Sequence, residues 1–118
     1  PGGWTGRQVI HHLADSHMNA YIRSKWMITE NTPLIKAYDE KAWAETPETK
    51  LDPELSVALL KALHAKWISL LRGLTPDDLQ KSFLHPETSK YVPLNRLIAL
   101  YAWHGEHHLG HLNLILDC

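Results

Sequence analysis

This 118-residue chain has almost no cysteine and no strong bias of charge. Its single cysteine, Cys118, is the last residue, which excludes an internal disulfide framework and any zinc cluster built on several thiolates. So low a cysteine content fits a reducing compartment, and we expect a cytoplasmic protein. The formal net charge is -1 and the basic residues are scattered, so neither a nucleic acid nor a membrane surface is an expected partner.

Long apolar runs are also missing. No run reaches the roughly 18 residues that span a bilayer, and we expect no signal peptide. With 44% hydrophobic and 21% charged residues, the composition is that of a globular protein, and we expect residues 1–118 to form one domain. The opening stretch PGGWTGRQV consists of turn residues that usually connect an earlier element to a helix, so we expect an N-terminal part of the natural domain to be missing.

Three long helices are predicted from start signals and apolar spacing. Thr5 and Gln8 form a capping-box pattern that starts the first helix, which we expect to span residues 6–29. The pair Asp52–Pro53 starts the second, which should end at Gly73. Pro93 starts the last, which should continue to about residue 116. The second helix has an apolar stripe with helical spacing: Leu55, Leu59, Leu63, Trp67 and Leu70 or Leu71.

The connecting segments are predicted to be mostly irregular. Residues 34–51 should form a long loop with one helical turn around residues 40–43, and a short helix should run from Thr75 to about Lys81. The stretch SFLHPETSKYVPL is expected to be a loop with brief extended character at its ends, and no strand pair is predicted. Long amphipathic helices bury their apolar stripes most simply as a bundle, so the predicted fold class is all-α.

Four histidines lie within eight residues of the last predicted helix, in YAWHGEHHLGHL. At about 100° per residue, His104, His108 and His111 continue the apolar stripe, and His107 lies about 60° from His104. The helix therefore turns imidazoles toward the bundle interior over two successive turns. The stripe itself consists of apolar residues on both sides of the histidines: Leu94, Leu97, Ile98, Tyr101, Leu112 and Ile115.

Inward-facing imidazoles need partners, because a buried polar group without a hydrogen bond costs about 1–3 kcal/mol. Buried hydroxyls or a position at the helix edge would satisfy them. A divalent metal is the more economical partner, since two histidines at i and i+4 project from one face and can reach one ion. Four histidines together with a donor from elsewhere in the chain favour a metal site.

The first helix offers that donor in HHLADSHMNAYIR. Its apolar direction is set by four residues: Val9, Leu13, Ala20 and Met27. A polar-aromatic strip lies on one flank of this direction: His12, Asp15, Asn19, Arg23 and Trp26.

The histidines of the first helix differ in direction. His11 points away from the core and is expected on the surface. His17 lies on the opposite shoulder of the stripe, so periodicity alone leaves the choice between His12 and His17 open. His12 has Asp15 one turn further on, and that carboxylate can orient a metal-bound imidazole.

Two more histidines have less distinctive surroundings. His64, in LLKALHAKW, is expected to be a half-buried, hydrogen-bonded residue. His85 precedes a proline in a loop, and it is a weaker site candidate because loops over the mouth of a bundle often carry function.

The motifs WTGRQVIHHLADSHMNAYIR, HPE at residues 85–87 and LYAWHGEHHLGHL together resemble the DinB-like superfamily. The closest likeness is to its YfiT-like branch of proposed metal-dependent hydrolases, which includes bacillithiol S-transferases. The resemblance extends over essentially the whole chain, including KAWAETPETKL and LLKALHAKWISLL. These motifs, in this order, are fairly specific for the branch and much less so for a substrate.

The resemblance implies a four-helix bundle that binds one nickel or zinc ion through three histidines. In the family, the first-helix ligand lies eight residues after the Trp of the WT motif, which selects His12 over His17. The WHxxHH element then supplies His104 and His108. The family bundle has a further helix before the WT motif, so we expect this chain to contribute three long helices and a short one.

Three neutral imidazoles leave at least one coordination position open, which is typical of a catalytic site. Such a site can lower the pKa of bound water toward ~7 and supply hydroxide for hydrolysis. It can also bind a thiol as the thiolate, which is a nucleophile at neutral pH. The resemblance favours the second reaction: an S-transferase that conjugates a low-molecular-weight thiol of the bacillithiol type to an electrophilic substrate.

Four residues are candidates for roles beside the ion. Arg23 and Asn19 are expected to anchor an anionic or polar cosubstrate, and Asp15 and His111 to support a ligand or transfer a proton. The alternatives are a metal-dependent hydrolase at the same site and a non-catalytic metal-binding or interaction module. A fourth ligand from Asp15, His107 or His111 would close the site and weaken the catalytic interpretation. Five tryptophans in so short a chain, and the pairing of bundles in the family, lead us to expect a homodimer.

Overall fold

The computed structural model describes residues 3–85 and 90–99. In chain order these residues form α1 (Gly6–Thr29), α2 (Glu40–Trp43), a 3-10 helix (Pro47–Lys50), α3 (Glu54–Arg72), α4 (Pro76–Gln80), β1 (Ser82–Leu84) and β2 (Tyr91–Pro93), followed by helical residues 94–99. Among the described elements, the first helix packs mainly against α3.

Both ends of α1 lie where the sequence predicts them. The capping box is formed, because the Gln8 backbone N–H donates to Thr5 Oγ1 over 3.1 Å and the Thr5 N–H donates to Gln8 Oε1 over 3.1 Å. At the other end Glu30 is extended, and Thr32 adopts a φ of 47° immediately before Pro33. Local side-chain and proline signals therefore set the length of this helix.

Helix α3, the second of the predicted long helices, begins one residue later than predicted. Asp52 Oδ1 accepts a hydrogen bond from the Glu54 N–H over 2.9 Å, and Pro53 takes the capping position. The predicted apolar stripe is only partly buried: Leu63 and Trp67 lie in the interior, but Leu55 and its neighbour one turn on, Leu59, are exposed. The prediction was wrong for these two leucines because α3 turns Ser56 toward α1 at this end.

Each short helical element is held by a side-chain hydrogen bond. The predicted turn at residues 40–43 is α2, whose Ala42 N–H donates to Asp39 Oδ1 over 3.1 Å. The 3-10 helix was not predicted. It is held by the buried Thr49, whose hydroxyl donates to the Ala44 carbonyl over 2.8 Å. The predicted short helix is α4, which starts on a capping box made by Thr75 and Asp78.

The segment predicted as a loop contains an antiparallel strand pair, so the expectation of no strands was wrong here. In this pair Phe83 lies opposite Val92. The Leu84 N–H also donates to the Pro33 carbonyl over 2.8 Å. These partners come from distant parts of the chain, so periodicity within the segment did not reveal them.

The apolar core lies at the C-terminal end of α1. It contains five buried residues: Met27, Ile35, Phe83, Leu94 and Leu97. Ile98 packs against this cluster, which confirms the first three members of the stripe predicted for the last helix. The remaining members, residues 101, 112 and 115, lie outside the described residues. Within the ranges 3–85 and 90–99, no helix is long and apolar enough to cross a membrane.

Candidate metal centre on the first helix

The N-terminal half of α1 is unusual because most of its buried side chains are polar. Its buried polar residues are His11, His12, Ser16 and His17. Further along the helix, Ala20 and Met27 restore the apolar pattern. Since buried polar groups must be paired to avoid a desolvation cost, we expect polar partners for each of these side chains.

His12 is 3% exposed and lies against the indole of Trp4, with ring centroids 4.8 Å apart and planes inclined by 53°. Trp4 directly precedes Thr5, the residue that caps the start of the helix. Trp4 and His12, whose eight-residue separation selects His12 as the expected ligand, are therefore in contact. A buried imidazole fixed by an aromatic neighbour fits the role of a ligand for a divalent ion.

The other members of the predicted ligand set, His104 and His108, lie outside the described residues, as do His107 and His111. Within the described part of the chain, no three His, Cys, Asp or Glu side chains form a group that could hold a metal ion. His12 lies within the described residues, and the assignment of all three ligands, His12, His104 and His108, stays a prediction.

His11 is 2% exposed, so its predicted surface position was wrong. Its Nδ1 lies 2.6 Å from Ser56 Oγ, and its Nε2 lies 3.2 Å from the Leu51 carbonyl oxygen. A carbonyl only accepts, so in the neutral ring Nε2 donates to Leu51 and Nδ1 accepts from the Ser56 hydroxyl. Helical spacing did not reveal this arrangement, because the four apolar residues that define the inward direction of α1 carry no information about a polar partner on α3.

His17 and His64 form a second cross-link between α1 and α3. His64 Nε2 lies 2.8 Å from His17 Nδ1, and the Trp67 ring lies edge-on to His17 at a centroid distance of 6.0 Å. The prediction that His64 is hydrogen-bonded is confirmed, although its side chain is exposed and not half-buried. The contact gives His17 a structural role between the two long helices.

Asp15 lies one turn beyond His11 and three residues beyond His12, and it is partly buried. Burial raises the pKa of its carboxyl from 3.8 to about 6, the nearby Glu48 carboxylate adds to the increase, and His11 opposes it. A carboxyl with this pKa can take up and release a proton close to neutral pH. The predicted role of Asp15 in proton transfer is therefore chemically reasonable.

Asn19 and Arg23 continue the predicted strip along α1. The Asn19 side-chain amide donates to the Asp15 backbone carbonyl over 2.8 Å. Arg23 Nη2 donates to the Lys36 carbonyl over 3.0 Å, and its guanidinium lies 5.9 Å from the centre of the Tyr38 ring. Both side chains line a groove of about 510 Å³ between α1 and residues 36–43. The structure thus brings together two of the predicted binding residues.

Other residues of this region were not assigned a role from the sequence. Tyr38 and Trp43 line the same groove, and Ser56 holds His11. The stretch KAWAETPETKL contains Trp43, the last residue of α2, and no periodic signal in this segment pointed to the groove. His85 lies at the end of β1, where its N–H donates to the Lys90 carbonyl over 2.9 Å and its ring lies 6.3 Å from that of Phe83.

The fold and the polar half of α1 define an all-α, histidine-rich helical-bundle protein. The chain belongs to the DinB superfamily, whose family model matches residues 1–112. The predicted family is confirmed, and the likeness is to the YfiT-like branch.

Individual relatives agree with this placement. The chain is 58% identical over 111 residues to OB0782 of Oceanobacillus iheyensis, with 94% of this chain and 64% of that protein covered. It is 53% identical over 112 residues to YfiT of Bacillus subtilis, with 94% and 63% covered. Both relatives are named as proposed metal-dependent hydrolases. The chain spans slightly less than two thirds of the length of each.

The solved structure of Bacillus subtilis YfiT matches with a TM-score of 0.93 and 51% identity, over 97% of this chain and 66% of that one. It is described as a probable metal-dependent hydrolase with an unusual four-helix bundle topology. The predicted class, an all-α fold of the YfiT four-helix-bundle type, is therefore confirmed.

Proposed function

We propose that this chain binds one divalent ion, zinc or nickel, through His12, His104 and His108. We further propose that the metal-dependent protein is a thiol S-transferase, which joins a low-molecular-weight thiol to an electrophilic small molecule. The observation that carries the proposal is the burial of His12 against Trp4 on the first helix. The family match, which extends through residue 112, and the names of the relatives support it.

When bound, the ion would supply Lewis acidity that favours the deprotonated form of a thiol or a water molecule. The residues of the chain would do the remaining work. Trp4 shields His12 from water, and Asp15 can take up the released proton because its pKa is raised to about 6. Arg23 and Asn19 would hold an anionic or polar part of a substrate further along α1, and His111 is proposed as a second proton carrier.

The second candidate is a metal-dependent hydrolase that uses the same residues. The raised pKa of Asp15 favours it as much as it favours the transferase, because a carboxyl that titrates near neutrality serves as a general acid or base in hydrolysis. The names of the relatives also point to this reaction. A protein that binds the ion and turns over neither class of substrate would be the third possibility, a metal-binding or interaction module.

One assay separates these reactions. Metal-loaded and metal-stripped protein are each incubated with a panel of low-molecular-weight thiols and an aryl halide, and in parallel with a panel of carboxylic esters. The proposal expects metal-dependent consumption of thiol and halide in equal amounts. Metal-dependent ester cleavage without conjugation would replace the transferase with the hydrolase. Equal rates with and without metal in both panels would remove both enzymes.

The proposed setting is cytoplasmic, as expected from the cysteine content, and the proposed assembly is a homodimer. The exposed Leu55 and Leu59, one turn apart on α3, provide apolar surface that a second copy can cover. Analytical ultracentrifugation tests the assembly: a Leu55→Asp variant should shift a dimer toward monomer, and a wild-type protein that sediments as a monomer at all concentrations would contradict the proposal.

A further inference from the structure

The groove between α1 and residues 36–43 combines aromatic walls with positive charge. Its aromatic side chains are Trp26, Tyr38 and Trp43, and its cationic ones are Arg23 and Lys36. Its volume of about 510 Å³ falls in the range of small-molecule sites, roughly 300–1,000 Å³. Among the described residues, neither His12 nor the structural histidines His11 and His17 line it.

Two of the three aromatic side chains that line the groove, those of Trp26 and Trp43, are substantially exposed. Trp26 is 43% exposed and Trp43 38% exposed, although indole rings are usually largely buried. The Tyr38 and Trp43 rings lie against each other, with centroids 4.9 Å apart and planes inclined by 57°. Ring faces and edges arranged in this way present a surface on which a planar ligand can pack.

The charge in the groove favours an anion. The guanidinium of Arg23 is held in place by the Lys36 carbonyl and the Tyr38 ring. Among the residues that the structure describes, no carboxylate forms an ion pair with Lys36, since the salt bridge found there joins Lys81 and Asp78. Among the described residues that line the groove, Asp39 supplies a carboxylate, and this carboxylate accepts the hydrogen bond that caps α2.

The groove also lies at a useful distance from His12. Asn19, which lines it, is seven residues further along α1 and on the same face of the helix. Seven residues at 1.5 Å per residue correspond to about 10 Å. A molecule with one aromatic ring system and a short substituent can extend over that length, with its ring in the groove and its substituent toward His12.

We propose that this groove binds the electrophilic substrate by its aromatic end, and that it selects small planar aromatic molecules carrying a carboxylate or sulfonate. The indoles of Trp26 and Trp43 pack on the ring system, and Arg23 and Lys36 pair with the anionic group. The place of the groove in the reaction rests on the proposed function. Binding of the aromatic anion itself needs no metal.

The test measures the affinity of purified protein for naphthalenesulfonate by isothermal titration calorimetry, with uncharged naphthalenemethanol and non-aromatic cyclohexanesulfonate as companions. Naphthalenesulfonate should bind at least fivefold more tightly than naphthalenemethanol or cyclohexanesulfonate. Its binding should weaken as salt increases. Equal affinity for naphthalenemethanol would overturn the role of charge, and equal affinity for cyclohexanesulfonate would overturn the role of stacking.

Variants locate the binding site. Trp26→Ala and Trp43→Ala should each weaken binding about tenfold, and Lys36→Gln about threefold with a smaller salt dependence. The matched controls are Ile68→Ala, which removes an exposed apolar side chain from α3, and Lys61→Gln, which removes an exposed cation there. Both should bind as the wild type does. Circular dichroism checks folding, and Trp26→Ala keeps the test decisive if Trp43→Ala disturbs α2.

The results separate this inference from the proposed function. Tight binding by metal-stripped protein together with absent conjugation would leave the groove assignment standing and remove the transferase. Metal-dependent conjugation together with unchanged binding in Trp26→Ala and Trp43→Ala would remove the groove assignment alone. Controls that weaken binding as much as the groove variants would also overturn it.

Discussion

The imidazole of His11 and the hydroxyl of Ser56 lie 2.6 Å apart in the interior, and this contact joins α1 to the start of α3. The other nitrogen of the same ring reaches the Leu51 carbonyl, so His11 holds the first helix to two successive parts of the chain. His12 is the next residue, and its direction is therefore fixed by its neighbour. We therefore expect His11, which was predicted to lie on the surface, to hold the turn of α1 that carries the proposed metal ligand.

The His11 contact should contribute measurably to stability. Ser56→Ala removes the hydroxyl that His11 Nδ1 accepts from, and we expect the free energy of unfolding to fall by about 1–2 kcal/mol. His11→Ala removes both hydrogen bonds and a buried ring, and we expect a loss of about 2–4 kcal/mol. Urea denaturation measures both. The control is Ser69→Ala, which removes an exposed serine whose hydroxyl bonds within α3, and it should change the free energy of unfolding by less than about 0.5 kcal/mol. If Ser56→Ala changed stability no more than Ser69→Ala does, the account would be contradicted.

Asp15 should make stability depend on pH. Its pKa in the folded protein is about 6, against 3.8 for the ordinary carboxyl, so the folded state holds the proton more tightly than the unfolded state. The charged carboxylate therefore lowers stability above about pH 6, and this loss disappears as the pH falls toward about 4. Asp15→Asn should stabilise the protein at about pH 8, by about 1–2 kcal/mol for a carboxyl that is only partly buried.

Thermal unfolding of chelator-treated protein across this pH range tests the Asp15 prediction without interference from metal release. The gain from Asp15→Asn should vanish near pH 4. Glu48→Gln serves as the companion variant, because removing the Glu48 carboxylate should lower the pKa of Asp15 and shrink the gain. A gain that is equal at both ends of the pH range would show that it does not come from the Asp15 charge.

The His17–His64 contact should be structural and not part of the metal site. His64→Ala removes one imidazole of the pair, and we expect a loss of about 0.5–1.5 kcal/mol in the free energy of unfolding. The amount of bound metal per chain should not change. The free energy of unfolding and the metal content can be measured on one preparation of the variant. Loss of the ion from the His64→Ala variant would mean that this pair, and not His12, supports the site.

Arg23 should act on substrate binding and not on the chemical step. Arg23→Gln should raise KM for an aryl halide that carries a carboxylate by about tenfold, since a charge-assisted hydrogen bond is lost, with kcat within about twofold. For an uncharged aryl halide KM should change little. Arg72→Gln, which removes an exposed arginine at the end of α3, is the control. An equal increase in KM for charged and uncharged halides would contradict the assignment.

The sequence predicted those parts of the fold that depend on neighbouring residues. Both ends of α1 follow from the Thr5 cap and the turn before Pro33, and α3 begins within one residue of its prediction. The strand pair and the inward position of His11 depend on partners far along the chain, such as Ser56, which lies 45 residues from His11. Periodicity within one segment carries no record of such partners.

The candidate site likewise has features that local sequence predicts and features that it does not. The polar strip on α1 could be recognised from helical spacing, because Asn19 and Arg23 do share one groove. The opposite wall could not, since it comes from Tyr38 and Trp43 in a segment without a clear period. The raised pKa of Asp15 was equally out of reach, because it depends on burial and on Glu48, which is 33 residues away in the sequence.

The most direct test of the proposed metal centre is the metal content of purified protein, measured by inductively coupled plasma mass spectrometry. Wild type and His17→Ala should each carry about one zinc or nickel ion per chain, whereas His12→Ala, His104→Ala and His108→Ala should carry almost none. Full metal content in the three ligand variants would contradict the account. Loss of the ion from His17→Ala, with retention by His12→Ala, would show that the first helix uses the other histidine.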